Sequence, residues 1–287
     1  MTTTRQDFRF FERLRVRWAE VDLQQIVFNG HYLMYFDTAV AGWWRALALP
    51  YHATMASLGG DFYVRKATLD YLASAHFDDR LDVGVRTERI GNSSKRLSCA
   101  VFRGDELLVQ GELVYVFADP ASQRSKPVPQ PLRDVLQAFD TGQAMVEVRL
   151  GTWDALSPEA SAIRRQVFVE EQKIPLALEM DAADASALHA LACNRLGLPL
   201  ATGRMLAHAP GIAKIGRMAV LSAMRGSGIG CAVLDALTQA ARARGDRQLL
   251  LHAQSSALAF YARAGFVAQG DPFEEAGIAH QAMVKAL

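Results

Sequence analysis

Ile215-Gly-Arg-Met-Ala-Val-Leu-Ser-Ala-Met-Arg-Gly-Ser-Gly-Ile-Gly230 joins an apolar run of strand character to a glycine-spaced loop, and an amphipathic helix follows at once. Strand, loop and helix in this order make an anion cradle. Glycines let backbone approach a phosphate closely, and the unpaired amides and positive dipole end of the helix favour negative charge. The helix is well specified. Ile229, Val233, Leu234 and Leu237 share a face, Arg242 and Arg244 fall in the last turn, and Gly245 is placed as the C-terminal stop. No Gly-Lys-Ser/Thr follows the loop, and no acidic residue stands where a dinucleotide fingerprint requires one, so a different pyrophosphate ligand fits better. Taken alone, the loop also reads as a tight strand-to-helix turn.

Arg225-Gly-Ser-Gly-Ile-Gly230 after a hydrophobic strand is similar to the R/Q-x-x-G-x-G/A motif of the GNAT-type acyltransferases. Leu249 to Phe266, with Tyr261 shortly before a Gly-Phe pair, resembles that family's last strand and helix. The likeness covers roughly residues 145 to 287. It implies that the backbone of Met218, Ala219 and Val220 pairs with the pantetheine arm of acyl-CoA as an added strand. It also implies that the amides of Gly226, Ser227, Gly228, Ile229 and Gly230 hold the pyrophosphate, with Arg225 nearby. Tyr261 is then the general acid on the departing thiolate, provided its site lowers the phenol pKa toward that of a thiol. A core tyrosine is the plain alternative. Glu179, Asp181, Glu274 and His252 are candidates for the amine-deprotonating base, and a water chain serves equally. Gln254 stands where many relatives carry asparagine. Arg164, Arg165, Gln172 and Lys173 lie on a helix that borders the acceptor site in the family, or on a solvated face.

The first 118 residues read differently. Phe10 to Trp18 alternates as a strand, and Tyr32, Tyr35, Phe36, Ala39, Val40, Trp43 and Leu47 mark an apolar helix that Pro50 is expected to end. Strands follow at Phe62 to Tyr71, Leu81 to Arg86, Leu97 to Val101 and Leu107 to Phe117, with turns at Gly91 to Ser94 and Arg103 to Glu106. One buried helix and a run of antiparallel strands make an α+β domain whose sheet curls around the helix.

This order, with Asp22-Leu-Gln-Gln-Ile-Val-Phe-Asn29 ahead of the helix, resembles the hot-dog thioesterases of the 4-hydroxybenzoyl-CoA thioesterase type. The motif's usual glycine is Gln25 here. The resemblance implies that Asp22 activates water or attacks the thioester, and that the Asn29 amide, with Gly30 beside it, receives the oxyanion. His31 binds substrate or fills the helix's first turn. Asp37 is a second carboxylate candidate because one branch of the family works from the helix, and pairing with a basic neighbour is the plainer reading. Glu20 and His76 read as structural or solvated. Family active sites lie between subunits, so a homodimer or homotetramer is expected.

Between the two readings, Asp119 to Pro131 is Pro- and Ser-rich, Leu132, Val135, Leu136 and Phe139 mark a short helix, and Thr141-Gly142 ends it. The boundary is set at 142/143: a hot-dog domain over 1–142 and a mixed α/β acyltransferase domain over 143–287. Met145 to Leu150 begins the second domain as a strand, Ser157-Pro158-Glu159 reads as a helix start, and strands follow at His189 to Cys193, Pro199 to Leu206 and Ala213 to Leu221.

In 287 residues with 51% hydrophobic and 21% charged content, a sizeable core is available, and a net charge of +1 argues against nucleic acid as partner. Cys99, Cys193 and Cys231 lack metal-ligand spacing and are expected to be reduced, buried residues of a cytoplasmic protein. The N-terminus shows no apolar signal core, and no run suits a membrane helix. The expectation is a bifunctional acyl-CoA enzyme: hydrolysis of a thioester by the first domain, and transfer of an acyl group, acetyl by preference, from acetyl-CoA to an amine by the second. No metal is required. The alternative has one domain catalytic and the other binding acyl-CoA or aiding assembly.

Overall fold

The computed structural model describes residues 3–287, and the chain divides into two compact units, the first ending at Met145 and the second running Val146–Leu287.

The first unit runs β1 (Phe10–Arg15), α1 (His31–Ala46), α2 (Tyr51–Leu58), β2 (Asp61–Tyr71), β3 (Arg80–Ile90), β4 (Ser94–Arg103), β5 (Glu106–Ala118) and α3 (Gln130–Asp140). Its five strands pair antiparallel in the order β1-β3-β4-β5-β2. α1 buries Tyr32, Tyr35, Phe36, Ala39, Val40 and Trp43, the stripe read from the sequence, and Trp44 as well, while Leu47 of that stripe is the buried C-cap. Sheet and helix come closest at Gly111 of β5. A Cβ there would lie 2.5 Å from the Thr68 carbonyl oxygen and 2.6 Å from the Phe36 ring, so only glycine fits. Lys95 of β4 is 1% exposed, with Nζ 4.1 Å from the ring centroids of both Trp44 and Phe62. Burial pulls its pKa well below the ordinary lysine value, and a nearby Asp61 charge only partly opposes this.

Two boundaries differ from expectation. β1 stops at Arg15, and Trp18–Glu20 forms a 3-10 turn anchored by Glu20. α1 stops at Ala46, because Ala48 takes a left-handed φ of 56° that no helix can pass through. Pro50 therefore does not end α1. It is the N-cap of α2, a short helix with too little periodicity to be read from the sequence.

The second unit runs β6 (Val146–Gly151), α4 (Trp153–Arg164), a π-helical turn (Arg165–Glu171), α5 (Leu176–Glu179), β7 (Leu188–Asn194), β8 (Pro199–Ala209), β9 (Ile212–Val220), α6 (Ile229–Arg244), β10 (Gln248–Gln254), α7 (Leu258–Arg263), β11 (Val267–Ala268), β12 (Phe273–Glu275) and β13 (Ile278–Ala286). The sheet order is β11-β13-β10-β9-β8-β7-β6, with β12 on β13. The α4 helix begins at Trp153 under Thr152, ahead of the Ser157-Pro158 start read from the sequence, and Pro158 lies inside it. Its missing N–H removes one bond, to Asp154, which the helix tolerates. Leu156 and Ile163 of α4 pack with Leu191 and Cys193, and α6 meets β8 at Gly203, where a Cβ would lie 2.6 Å from Met218 Sδ and 2.9 Å from Val233.

The decisive irregularity is at β9. It pairs with β8 as far as Val220, but with parallel β10 only from Ile212 to Ile215. A register shift opposite Thr202 and Arg204, with Arg217 at a φ of 51°, bends β9 away. β10 continues on its other side to Gln254, paired with His280. The facing halves, Gly216–Val220 and His252–Gln254, are left apart. No helix among the described residues is long and apolar enough to cross a membrane.

Candidate active sites

In the first unit, Asp22 opens a tight loop. Its N–H donates to the Ile26 carbonyl at 2.9 Å, and the Gln25 N–H donates back to the Asp22 carbonyl at 2.9 Å. Oδ1 of Asp22 accepts the Gln24 amide at 2.8 Å, which orients the carboxylate. Gln25 has a φ of 63°, the left-handed conformation that a glycine takes freely. The loop therefore keeps, with glutamine, the backbone geometry for which glycine is the natural choice. Asn29 and Gly30 follow at the N-terminal end of α1, where Gly30 is the N-cap and the Asn29 carbonyl accepts the Tyr71 hydroxyl at 3.2 Å. The His31 amide, first of α1, donates to the Phe28 carbonyl at 2.9 Å, so the Asn29 and Gly30 amides just ahead of it are the ones that could meet an oxyanion.

The neighbouring polar residues separate clearly. Glu20 is buried and accepts the Arg17 amide at 2.7 Å and the Tyr35 hydroxyl at 2.8 Å; burial pushes its pKa up, but these bonds and the Arg17 guanidinium hold it below the usual range. It is a structural anchor. His31 contacts Met34 Sδ through Nδ1 at 3.4 Å, and the His76 amide donates to Asp79 at 2.8 Å. Asp37 has no ion pair among the described residues, contrary to the pairing expected for it, and burial pushes its pKa up.

In the second unit, a cavity of about 510 Å³ lies where β9 and β10 part. Gly216, Arg217 and Met218 line it from β9, His252 and Gln254 from β10, Tyr261 from α7, and Phe168 from the π-helical turn. Past Val220, a 3-10 turn (Ser222–Met224) leads into the glycine loop. Gly226 and Gly228 take φ values of 83° and 82°, and a Cβ on either would meet nothing within 4 Å, so the loop faces open space. Ser227 donates its amide to the Met224 carbonyl at 3.4 Å, while the first amides of α6, from Ile229 and Gly230, have no partner within the helix.

Comparison with known proteins assigns both units. Residues 158–287 match the family model described as acetyltransferase (GNAT) domain, and residues 24–110 that of the thioesterase superfamily. The uncharacterized N-acetyltransferase YjcF of Bacillus subtilis is 33% identical over 128 residues, which are 44% of this chain and 90% of that protein. The chain joins a thioesterase-superfamily domain to a GNAT acetyltransferase domain. Among solved structures, a thioesterase of Thermus thermophilus, solved with coenzyme A and zinc, shares 26% identity over 47% of this chain and 98% of that one, with a TM-score of 0.42. The PA5185 protein of Pseudomonas aeruginosa shares 30% identity over 49% and 98%, with a TM-score of 0.43. Among the described residues, no three His, Cys, Asp or Glu side chains group to hold a metal ion.

Within the GNAT domain several expectations need correcting. Arg225 is not free for a phosphate: its guanidinium donates twice to Glu171, at 2.5 and 2.8 Å, and Nε donates to the Val220 carbonyl at 3.1 Å. It braces the end of β9 against the π-helical turn. Burial pushes the Tyr261 pKa up to about 12, away from a thiol rather than toward it. The phenol then stays protonated and is a hydrogen-bond donor. Glu179 and Asp181 are no free bases. Arg164 Nε donates to Glu179 at 2.6 Å, Arg204 to Asp181 at 2.6 Å and Arg217 to Asp181 at 2.9 Å. Arg164 itself is 1% exposed, neither an acceptor border nor a solvated face. Arg165 and Lys173 are exposed, whereas Gln172 lines the cavity and accepts the Gln254 amide at 2.9 Å. Glu274 lies outside the cavity lining and its neighbour Glu275 within it, a residue the sequence reading missed. Cys231 is exposed, not buried.

Proposed function

We propose that the chain is a bifunctional acyl-CoA enzyme, whose thioesterase-superfamily domain hydrolyses a pantetheine thioester and whose GNAT domain transfers an acetyl group from acetyl-CoA to an amine. The observation that carries the reading is the cavity where β9 and β10 part, with the glycine loop following the end of β9. An extended amide-bearing arm fits beside Met218, Ala219 and Val220 as a missing strand, and its pyrophosphate meets the amides of Gly228, Ile229 and Gly230. Tyr261, in the cavity wall, donates to the leaving sulfur.

In the first domain Asp22 supplies the carboxylate that activates water or attacks the thioester carbonyl. The Asn29 and Gly30 amides receive the charge that develops on oxygen. The domain acts as a homodimer or larger homo-oligomer. Edge strand β2 supports this, because eleven residues form it and Tyr63 to Thr68 are exposed on both faces, an unpaired edge that a second copy covers. Exposed Leu23 and Phe28 flank the Asp22 loop and offer apolar surface to the same partner.

The test is thiol release from a panel of acyl-CoAs, with and without added amines, by the wild type, Asp22→Asn and Tyr261→Phe. Asp22→Asn is expected to lower amine-independent release by roughly 10²- to 10⁴-fold and to leave the amine-dependent part unchanged. Tyr261→Phe is expected to do the reverse. If the wild type hydrolyses no thioester and Asp22→Asn is silent, the first domain binds or assembles without catalysing.

A further inference from the structure

Acetyl transfer to an amine needs a group that takes the amine's proton. We propose that His252 is this base and that Glu275 is the residue that positions it, an assignment that rests on the cavity's being the transfer site. His252 stands on the half of β10 that has parted from β9, and its ring lines the cavity. Its Nδ1 is 3.3 Å from Glu275 Oε2, and Phe273 packs edge-on against the ring with centroids 4.9 Å apart. Held between a carboxylate and a phenyl ring, the imidazole donates Nδ1–H to Glu275 and keeps its lone pair on Nε2. The carboxylate also stabilises the imidazolium once a proton arrives.

The other titratable groups of the cavity are less suited. Glu179 faces Arg164 at 2.6 Å and Arg217 at 3.4 Å, and Asp181 faces Arg204 and Arg217, so both carboxylates are tied to guanidinium groups, although burial pushes the Glu179 pKa up. His280 of β13 has Nδ1 2.8 Å from its own Ile278 carbonyl and stacks on the far side of the Phe273 network, with no carboxylate to stabilise its charge. The charged and titratable groups that line the cavity with His252 are thus Glu275 from β12, His280 from β13, Lys214 and Arg217 from β9, Arg204 from β8, Tyr261 from α7, Glu179 from α5 and Asp181 just after it.

The step balances without a further reactant. The acceptor ammonium gives one proton to His252 Nε2, and the freed lone pair attacks the acetyl carbonyl carbon. As the tetrahedral intermediate collapses, the C–S bond breaks and its electron pair stays on sulfur. The nitrogen's second proton passes to the thiolate, which the Tyr261 hydroxyl has held, and the imidazolium returns its proton to water. Amide, free CoA thiol and one proton are the products.

The experiment uses the full chain with acetyl-CoA and two primary amines, tyramine and spermidine, and follows thiol release across pH 6 to 10. His252→Gln is expected to lower kcat about 100-fold, to keep KM for acetyl-CoA within about twofold, and to move the rise of rate to the higher pH at which the amine loses its proton unaided. Imidazole in the buffer restores His252→Ala but not Tyr261→Phe. Glu275→Gln lowers kcat with KM for acetyl-CoA unchanged, as the ring loses the carboxylate that orients it. Nitrogen-15 NMR of the imidazole, which needs no turnover, is expected to show the Nδ1–H form in the wild type and a mixture in Glu275→Gln. An active His252→Gln with an unchanged pH profile, an acid limb lost only in His280→Gln, or an Nε2–H form in the wild type overturns the assignment and spares the transfer reading. No transfer to any amine together with a silent Tyr261→Phe removes the transfer reading and the base with it.

Discussion

Gln25 is held where an L-residue is strained by its Cβ. A left-handed φ costs such a residue about 1–2 kcal/mol, of which glycine's extra chain entropy offsets part. Gln25→Gly is therefore expected to raise the unfolding free energy by about 0.5–1 kcal/mol in denaturant titration, with thioester hydrolysis retained. Lys95 makes the opposite demand. Its folded pKa lies below the unfolded value, so between the two the unfolded chain holds the extra proton and stability rises with pH. The contribution falls away as pH drops from about 10 toward neutrality. Lys95→Met is expected to stabilise the first domain at pH 7 and to flatten its melting temperature between pH 7 and 9. At this scale the sequence names residue types well and their surroundings poorly. Glu274 and Glu275 are indistinguishable until β12 pairs with β13 and turns one of them toward His252. Arg225 looked like a phosphate ligand because its true partner, Glu171, is 54 residues away.

At the level of elements, the stripe on α1 and the Gly228 and Gly245 ends of α6 follow from local chemistry, and they stand where the sequence puts them. Helix starts fared worse. Ser-Pro-Glu is a sound N-terminal signal, but α4 starts earlier, after Thr152, and tertiary packing of Leu156 and Ile163 carries the helix through Pro158. The parting of β9 from β10 has no local signature at all, since it arises from pairing between distant strands. Close contact between elements yields a sharp test. Gly111→Ala must move the Thr68 backbone or the Phe36 ring, and it is expected to cost the first domain about 1–3 kcal/mol, read by thermal unfolding. Gly203→Ala pushes on Met218 in the cavity wall, and its expected signature is a raised KM for acetyl-CoA.

Each unit has its own core and its own sheet, as expected of domains that fold alone. Fragments 1–145 and 146–287 are expected to give two cooperative melts, and only the second fragment to lose amine-dependent thiol release with Tyr261→Phe. The parted strands carry a consequence for the molecule's lifetime. A sheet that lacks one ribbon in its middle is completed by whatever fills it, so under the proposed function acetyl-CoA is a piece of the scaffold there as well as a reactant. At a hundredfold excess over Kd, such a ligand adds about 2.7 kcal/mol to the stability of the domain that holds it. Those amide protons of Gly216–Val220 and His252–Gln254 that do not already bond to β8 or β13 are then expected to exchange slowly in the loaded protein and quickly in the empty one. Resistance of the second domain to proteolysis becomes a gauge of how much acetyl-CoA surrounds it.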